Sequence, residues 1–292
     1  MREGIIVKGI GGFYDVFSDR EIFRCRARGK FRKQGITPMV GDHVRFIPET
    51  QVIEGSLEEI LPRKNTLKRP PVANITHLAV VLAAAQPEPD MNLVDKLLIS
   101  AERMNISIVL IVNKIDLASS EKIEVLVKDY KAAAYPVYCV SSKYGQGMEE
   151  LGRGLKGITA LAGQSGTGKS SIINRLYPSL DLKIGDISKK QKRGRHTTRH
   201  VELLNLLYGG MIVDTPGFSQ MDLADCEPSE LQECYPEYEK YRHKCYFNSC
   251  AHVTEPDCMV REAVKNGELP EGRYRRYIKF IKEINEYRRN AW

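Results

Sequence analysis

Residues 163–170 read Gly163-Gln164-Ser165-Gly166-Thr167-Gly168-Lys169-Ser170: a glycine, four residues, then Gly-Lys-Ser. Glycines so placed let backbone N–H groups turn inward around phosphate oxygens, and a helix starting behind them adds a partial positive charge. Lys169 is positioned to reach the β- and γ-phosphates and the Ser170 hydroxyl to coordinate Mg²⁺, with Ser171 next in the nucleotide-binding set. A chance match is a Gly-rich turn without the right flanks. Here the apolar run Ile158–Ala162 reads as a buried strand before the loop, and 170–176 reads as a helix stopped near Pro178.

Two further loops have the chemistry to read a base. Asn113-Lys114-Ile115-Asp116 follows a strand-like run over 106–112. The Asp116 carboxylate can accept from both N1–H and the 2-amino group of guanine, an arrangement adenine does not offer. The Asn113 amide can bond the other edge and tie this loop to the phosphate loop, while the Lys114 stem lies over the ring. Ser141-Ser142-Lys143 also follows a strand-like run, 136–140. The Ser142 N–H suits guanine O6 and Lys143 packing on the base. Each motif alone reads equally as a loop; their joint presence at strand ends carries the argument.

Behind the phosphate loop, 181–200 is polar and basic and ends in His196-Thr197-Thr198. A threonine here can bond Mg²⁺ and the γ-phosphate and order the segment in the triphosphate state. A hairpin over 201–213 then delivers Asp214-Thr215-Pro216-Gly217, with Asp214 holding Mg²⁺ through water and the Gly217 N–H sensing the γ-phosphate. Finally, Cys245, Cys250, His252 and Cys258 form a Cys₃His set whose thiolates and imidazole suit a tetrahedral, closed and therefore structural Zn²⁺ site. Cys226, Cys234 and His243 are read as non-ligands, and Cys25 and Cys139 as core residues.

The elements that position these groups fall into three stretches. Residues 1–68 show short alternating runs over 4–8, 12–17, 22–27, 40–47 and 51–60, the pattern of a small barrel, OB or SH3-like. Arg20, Arg24, Arg26, Arg28, Lys30, Arg32 and Lys33 cluster there; on a strand 24, 26 and 28 share one face, and Phe23 and Phe31 are candidates to stack on bases. The competing reading is a solvated basic strand with core phenylalanines. Residues 61–73, with three prolines, read as an extended connector. From residue 75 strands (77–85, 106–112, 136–140) alternate with helices (92–104 with Asn92 as N-cap, 121–130), a parallel α/β pattern spanning 69–222. Residues 223–292 hold the cysteine cluster, a helix start at Pro228 and an amphipathic helix over 273–290. Its apolar stripe reads as packing and its Arg/Lys side as a third positive surface.

The chain has 292 residues, is 42% apolar and 28% charged, and carries a formal charge of +7, an ordinary globular composition open to a polyanionic partner. It shows no signal-peptide pattern and no span-length apolar run, so no membrane association and a cytoplasmic location are expected. Seven cysteines, three of them clustered with a histidine, suit metal rather than disulfides there.

In their order, base loops before phosphate loop before the two switch segments, the motifs NKID, SSK, GQSGTGKS, GRHTT and DTPGF resemble those of the RsgA (YjeQ/YloQ-type) family of circularly permuted GTPases. The resemblance covers the whole chain. It implies a multidomain α/β protein: an N-terminal OB-fold β-barrel (1–68), a circularly permuted P-loop GTPase domain (69–222) and a C-terminal helical zinc-binding module (223–292). It implies GTP hydrolysis to GDP with Mg²⁺, stimulated by the small (30S) ribosomal subunit and its rRNA, and a role late in that particle's maturation; a monomer is expected. Phe218 stands where Ras-like enzymes place the water-orienting glutamine. By the resemblance His196 takes that task, with Lys169 and Thr198 completing the catalytic set and Ser170 and Thr198 binding Mg²⁺. Thr197 beside Thr198, Gln220 as a rival for the water, and His196 as an RNA contact remain open. The rival function is an RNA-binding scaffold using guanine nucleotide only as a switch ligand, which Phe218 keeps in play.

Overall fold

The computed structural model describes residues 1–49, 54–68, 70–177, 201–214, 223 and 226–290. The described residues fall into two compact units, each entered by the chain more than once. One lies within Met1–Leu78, Met148–Ala162 and Lys169–Phe218, the other within Ala79–Gly147, Gly163–Gly168 and Ser219–Trp292. No helix among the described residues is long and apolar enough to cross a membrane.

The first unit opens with β1 (Arg2–Ile10), β2 (Phe13–Ser18), β3 (Glu21–Ala27), a short α1 (Gly29–Lys33), β4 (His43–Ile47) and β5 (Gly55–Ile60). The strands close in the order β1-β2-β3-β5-β4, with β4 antiparallel on β1 and β3 parallel to β5. This OB-like barrel is filled by Ile6, Val16, Cys25, Val44, Phe46 and Leu57, all fully buried, which is the inward half of each alternating run.

The barrel differs from the sequence reading in its aromatics. Phe31 is buried, so it is a core residue, and Phe23 packs on Phe46 with ring centroids 5.4 Å apart. It is Phe13 that carries the Arg24 and Arg26 guanidinium groups, at 4.9 and 5.1 Å. Arg28 lies beyond the strand as the residue before α1 and pairs with Glu58 at 2.7 Å.

Residues 61–73 are not a plain connector. β6 (Thr66–Lys68) and β7 (Pro71–Ala73) pair antiparallel, because Leu67 and Val72, opposite one another, both bury. The barrel meets the rest of its unit where Lys8 of β1 forms an antiparallel bridge with Glu202, reinforced by a 2.9 Å ion pair between their side chains.

Beyond the barrel the elements are β8 (His77–Ala83), α2 (Met91–Arg103), β9 (Ser107–Asn113), α3 (Ser120–Lys131), β10 (Val137–Val140), α4 (Met148–Gly154), β11 (Ile158–Ala162), α5 (Lys169–Leu176), β12 (Leu203–Asn205) and β13 (Met211–Asp214). In the first unit β11 runs parallel to β13, and β12 pairs antiparallel with β13 as the expected hairpin. In the second, β10 is parallel to β9, with β8 next in order. β8 and β9 are buried almost throughout, as strands covered on both faces must be. The α2 N-cap is Asp90 rather than Asn92: its carboxylate accepts from the N–H of Asn92 and Leu93 at 3.0 and 3.2 Å.

The second unit ends in α6 (Pro228–Leu231), α7 (Glu239–Arg242), α8 (Met259–Lys265) and α9 (Glu271–Asn290). Leu231, Tyr235, Tyr238, Val260, Tyr277, Phe280 and Ile284 form one core that also takes in Ile99 of α2. The polar side of α9 is largely engaged within the unit. Arg273, 1% exposed, binds Glu237 at 2.5 Å and Asp95 of α2 at 3.1 Å. Arg276 binds Asp95 at 2.5 Å and Asp129 of α3 at 3.1 Å, and Lys279 donates to Asn92 Oδ1. Burial opposes the Arg273 charge, yet Asp95 and Glu237 hold its guanidinium protonated well above the ordinary range. The basic face expected on this helix is thus partly an internal ion-pair lattice.

Candidate functional site

The base-reading loops and residues 163–168 of the phosphate loop lie together in the second unit. Asn113, the last residue of β9, is fully buried; its Nδ2 donates to the Thr167 carbonyl at 2.9 Å and its Oδ1 accepts from the Ser142 N–H at 3.0 Å. One amide therefore ties NKID to both the phosphate loop and the SSK loop. The Ser142 N–H, expected at guanine O6, is directed here to Asn113. Gly168, at φ +94°, sits so near the Asn113 amide that a Cβ would collide with it, and at Gly163, φ +133°, a Cβ would strike the Val81 carbonyl. These two glycines are required by close approach as well as by backbone conformation.

Lys114 adopts the left-handed conformation, and its Nζ donates to the carbonyls of Gln86 at 2.6 Å and Gly166 at 2.7 Å. Its ammonium is a strut between the loop after β8 and the phosphate loop, which fixes the stem expected to lie over the base. Asp116 is exposed, and the buried Ser141 hydroxyl donates to its Oδ1 at 2.5 Å, so the carboxylate is aimed before any ligand arrives. Lys143 is exposed with its ammonium over the Tyr144 ring at 4.9 Å. Gln164 accepts from the Asp90 N–H at 3.4 Å, and Thr167 N–H and hydroxyl both donate to the Gln164 carbonyl, closing the turn that contains Ser165 and Gly166. Lys169, Ser170 and Ser171 open α5 directly after Gly168, and Asp214 ends β13. His196, Thr197, Thr198, Gly217, Phe218 and Gln220 lie outside the described residues. Sequence reasoning missed the Gln86 carbonyl and the Asp95–Arg273 pair, neither of which has a local signature.

Cys245, Cys250, His252 and Cys258 converge, their ligand atoms all within 4.8 Å of one another. A tetrahedral ion about 2.3 Å from each sulfur places sulfurs roughly 3.8 Å apart. Cys245 and Cys258 Sγ are 3.9 Å apart, and His252 Nδ1 lies 3.3 Å from Cys258 Sγ and 3.6 Å from Cys245 Sγ. The donor set and spacing fit zinc. Burial pushes the Cys250 thiol up to about 12 and lowers His252, so a cation is what would bring the thiolates into being. The loop around His252 is shaped by Glu255. Burial opposes its charge, but the backbone N–H groups of Glu255 itself, Ala251, Val253 and Thr254 outweigh that and hold its carboxyl low. Cys226 and Cys234 are buried outside the set, Cys25 is buried in the barrel, and Cys139 is exposed rather than a core residue.

Metal removal is expected to unravel the loop 245–258 and loosen the core it shares with α2, since structural zinc contributes directly to folding. Because protons compete for the thiolates, the metal should be lost more readily as pH falls. Zinc content and circular dichroism during chelator titration at two pH values check this; a chain that keeps its spectrum with no metal contradicts it.

A family model described as RsgA GTPase matches residues 60–224, and one described as RsgA N-terminal domain matches residues 3–53. The chain belongs to the RsgA GTPase family. It is 46% identical over 295 residues to the small ribosomal subunit biogenesis GTPase RsgA of Ruminiclostridium cellulolyticum, covering 99% of this chain and 96% of that one. YjeQ from Thermotoga maritima superposes with a TM-score of 0.84 at 38% identity, covering 97% of this chain and 98% of that one. YloQ, described as a circularly permuted GTPase, does so with a TM-score of 0.83 at 35% identity, covering 98% and 96%. The RsgA fold is the one expected from the motif order: OB-like barrel, permuted GTPase and Cys₃His module. As an RsgA-family member the protein is a GTP-hydrolysing enzyme.

Proposed function

We propose that the protein hydrolyses GTP in a cycle timed by the small (30S) ribosomal subunit, acting late in that particle's maturation in the cytoplasm. The observation that carries the nucleotide reading is the Asn113 amide joining the base-reading loops to the Thr167 carbonyl, with Asp116 aimed by Ser141. The particle is supported by the name of the relatives and by the basic barrel strand, whose exposed Arg24 and Arg26 lie over the half-buried Phe13 ring. Residues 1–68, 69–222 and 223–292 act as RNA-binding barrel, GTPase and zinc module, and the protein works as a monomer.

In the proposed site the residues 163–171 cradle the phosphates, Lys169 neutralises charge on the β- and γ-oxygens, and Ser170, Thr198 and Asp214 would hold Mg²⁺. Mg²⁺ supplies charge neutralisation of the triphosphate. Gly217 bonds the γ-phosphate. Water attacks the γ-phosphorus, the bond to the bridging oxygen breaks, and GDP leaves with phosphate. Phe218 cannot orient that water, so His196 accepts its hydrogen bond.

GTP turnover measured alone, with small subunits, with large subunits and with ATP tests the proposal: slow intrinsic turnover raised only by small subunits and only for GTP is expected. His196→Ala should lower stimulated turnover by about 10²-fold or more with little change in GTP affinity. Unchanged stimulated turnover in that variant removes His196 from the mechanism. The scaffold reading, favoured by Phe218, is upheld instead if GTP binds tightly and no particle stimulates its hydrolysis.

A further inference from the structure

His252 presents two faces. Its Nδ1 points to the sulfurs of Cys258 and Cys245, and its Nε2 lies 2.8 Å from Oε1 of Gln232, twenty positions earlier in the chain. An ion taking the Nδ1 lone pair leaves the proton on Nε2, which then needs an acceptor. The opposite arrangement, an amide N–H₂ of Gln232 facing Nε2, would place the ring proton on Nδ1, aimed at the sulfurs where a cation must sit.

Gln232 is well held for this task. It opens a tight turn over 232–234 directly after α6 (Pro228–Leu231), and the flanking Leu231 and Cys234 are buried. The start of α6 is fixed by a capping box between Glu227 and Glu230. The other restraints on His252 act on its backbone or ring face. It adopts φ +59°, Tyr274 donates from its hydroxyl to the His252 carbonyl at 2.8 Å, and Tyr238 meets the ring edge-on. None of these selects a tautomer; among the described residues it is the Gln232 contact that does.

We propose that Gln232 is the positioning residue of the metal site: its side-chain oxygen accepts the Nε2 proton of His252, fixing the tautomer and ring orientation in which Nδ1 binds zinc. The site thereby extends beyond the loop 245–258 to the segment following α6. Outer-shell acceptors of this kind change metal affinity by about 10–100-fold when removed.

The test uses the full chain loaded with zinc. Competition with a chromophoric chelator should give Gln232→Leu a zinc affinity about 10–100-fold weaker than the parent. Gln232→Glu, which keeps an acceptor at the same reach, should restore it. A merely structural role for Gln232 would not fix the tautomer, so nitrogen NMR of histidine-labelled protein supplies the second readout. In the parent His252 should bind through Nδ1 with a slowly exchanging Nε2 proton, and in Gln232→Leu that proton should exchange fast. Equal zinc affinity in parent and Gln232→Leu overturns the proposal. So does parent protein in which His252 binds zinc through Nε2, a measurement that decides the matter even if Gln232→Leu fails to fold.

Discussion

Asp116→Asn is expected to lower GTP affinity by about 10²-fold or more and to create affinity for xanthosine triphosphate. Guanine offers two donors on one edge, N1–H and the 2-amino group, and a carboxylate accepts both. Asparagine keeps an oxygen for N1–H but turns an N–H₂ toward the 2-amino group, donor against donor. Hydrogen bonds to a charged acceptor contribute roughly 1.5–3 kcal/mol each, so losing one and opposing the other accounts for a hundredfold effect. Xanthine carries a carbonyl at that carbon, which the new amide can donate to. The exchange should be clean because the side chain is aimed from outside the site: Ser141, buried, donates to Oδ1 at 2.5 Å, and its own backbone is fixed by the Gln146 carbonyl at 3.0 Å. Titration with fluorescent guanosine, xanthosine and adenosine triphosphates reads the result. A variant that binds GTP as the parent does would place base recognition elsewhere.

Arg273→Ala should cost about 3–5 kcal/mol of stability, because it strands two carboxylates rather than deleting one contact. Asp95 and Glu237 are both buried, and the guanidinium lies 3.1 and 2.5 Å from them, stacked over Tyr235 at 4.6 Å. Asp95 retains Arg276 and the Tyr130 hydroxyl, but Glu237 has no second cation among the described residues. Urea unfolding of the zinc-loaded chain should show the midpoint falling steeply, with Arg275→Ala, an exposed residue paired to Glu271, as the control that changes little. A midpoint near the parent's in Arg273→Ala would mean that water replaces the guanidinium at no great cost.

What could be read from the residues follows the range of the interactions. Gly163 to Ser170, Asn113 to Asp116 and Cys245 to Cys258 are short segments whose spacing is itself the geometry, so the loops and the metal cluster were legible. The Asn113–Thr167 contact was legible too, because the chemistry of that motif demands a tie to the phosphate loop. The lattice of Asp95, Arg273 and Arg276 was not. Each of its members reads as a charge on an amphipathic helix, and only packing brings them together. The same holds for Phe31, a candidate to stack on bases that lies buried on the five-residue α1. Cys139 failed for a related reason: an apolar strand pattern does not say which of its faces is covered.

Synthesis gives the pairing of α2 with α9 a temporal meaning. Asp95 leaves the ribosome 178 residues before Arg273 and 181 before Arg276. Through that interval the nascent chain carries a carboxylate that has neither cation, on a helix whose Ile99 belongs to a core still unmade. The loop-closure entropy of joining such distant segments is met only when α9 arrives. A product released early, lacking α9, would keep its complete base-reading loops yet expose the apolar face of α2 to proteases and chaperones. The ion pairs thus act as a clasp on α2 that waits for α9 to be made.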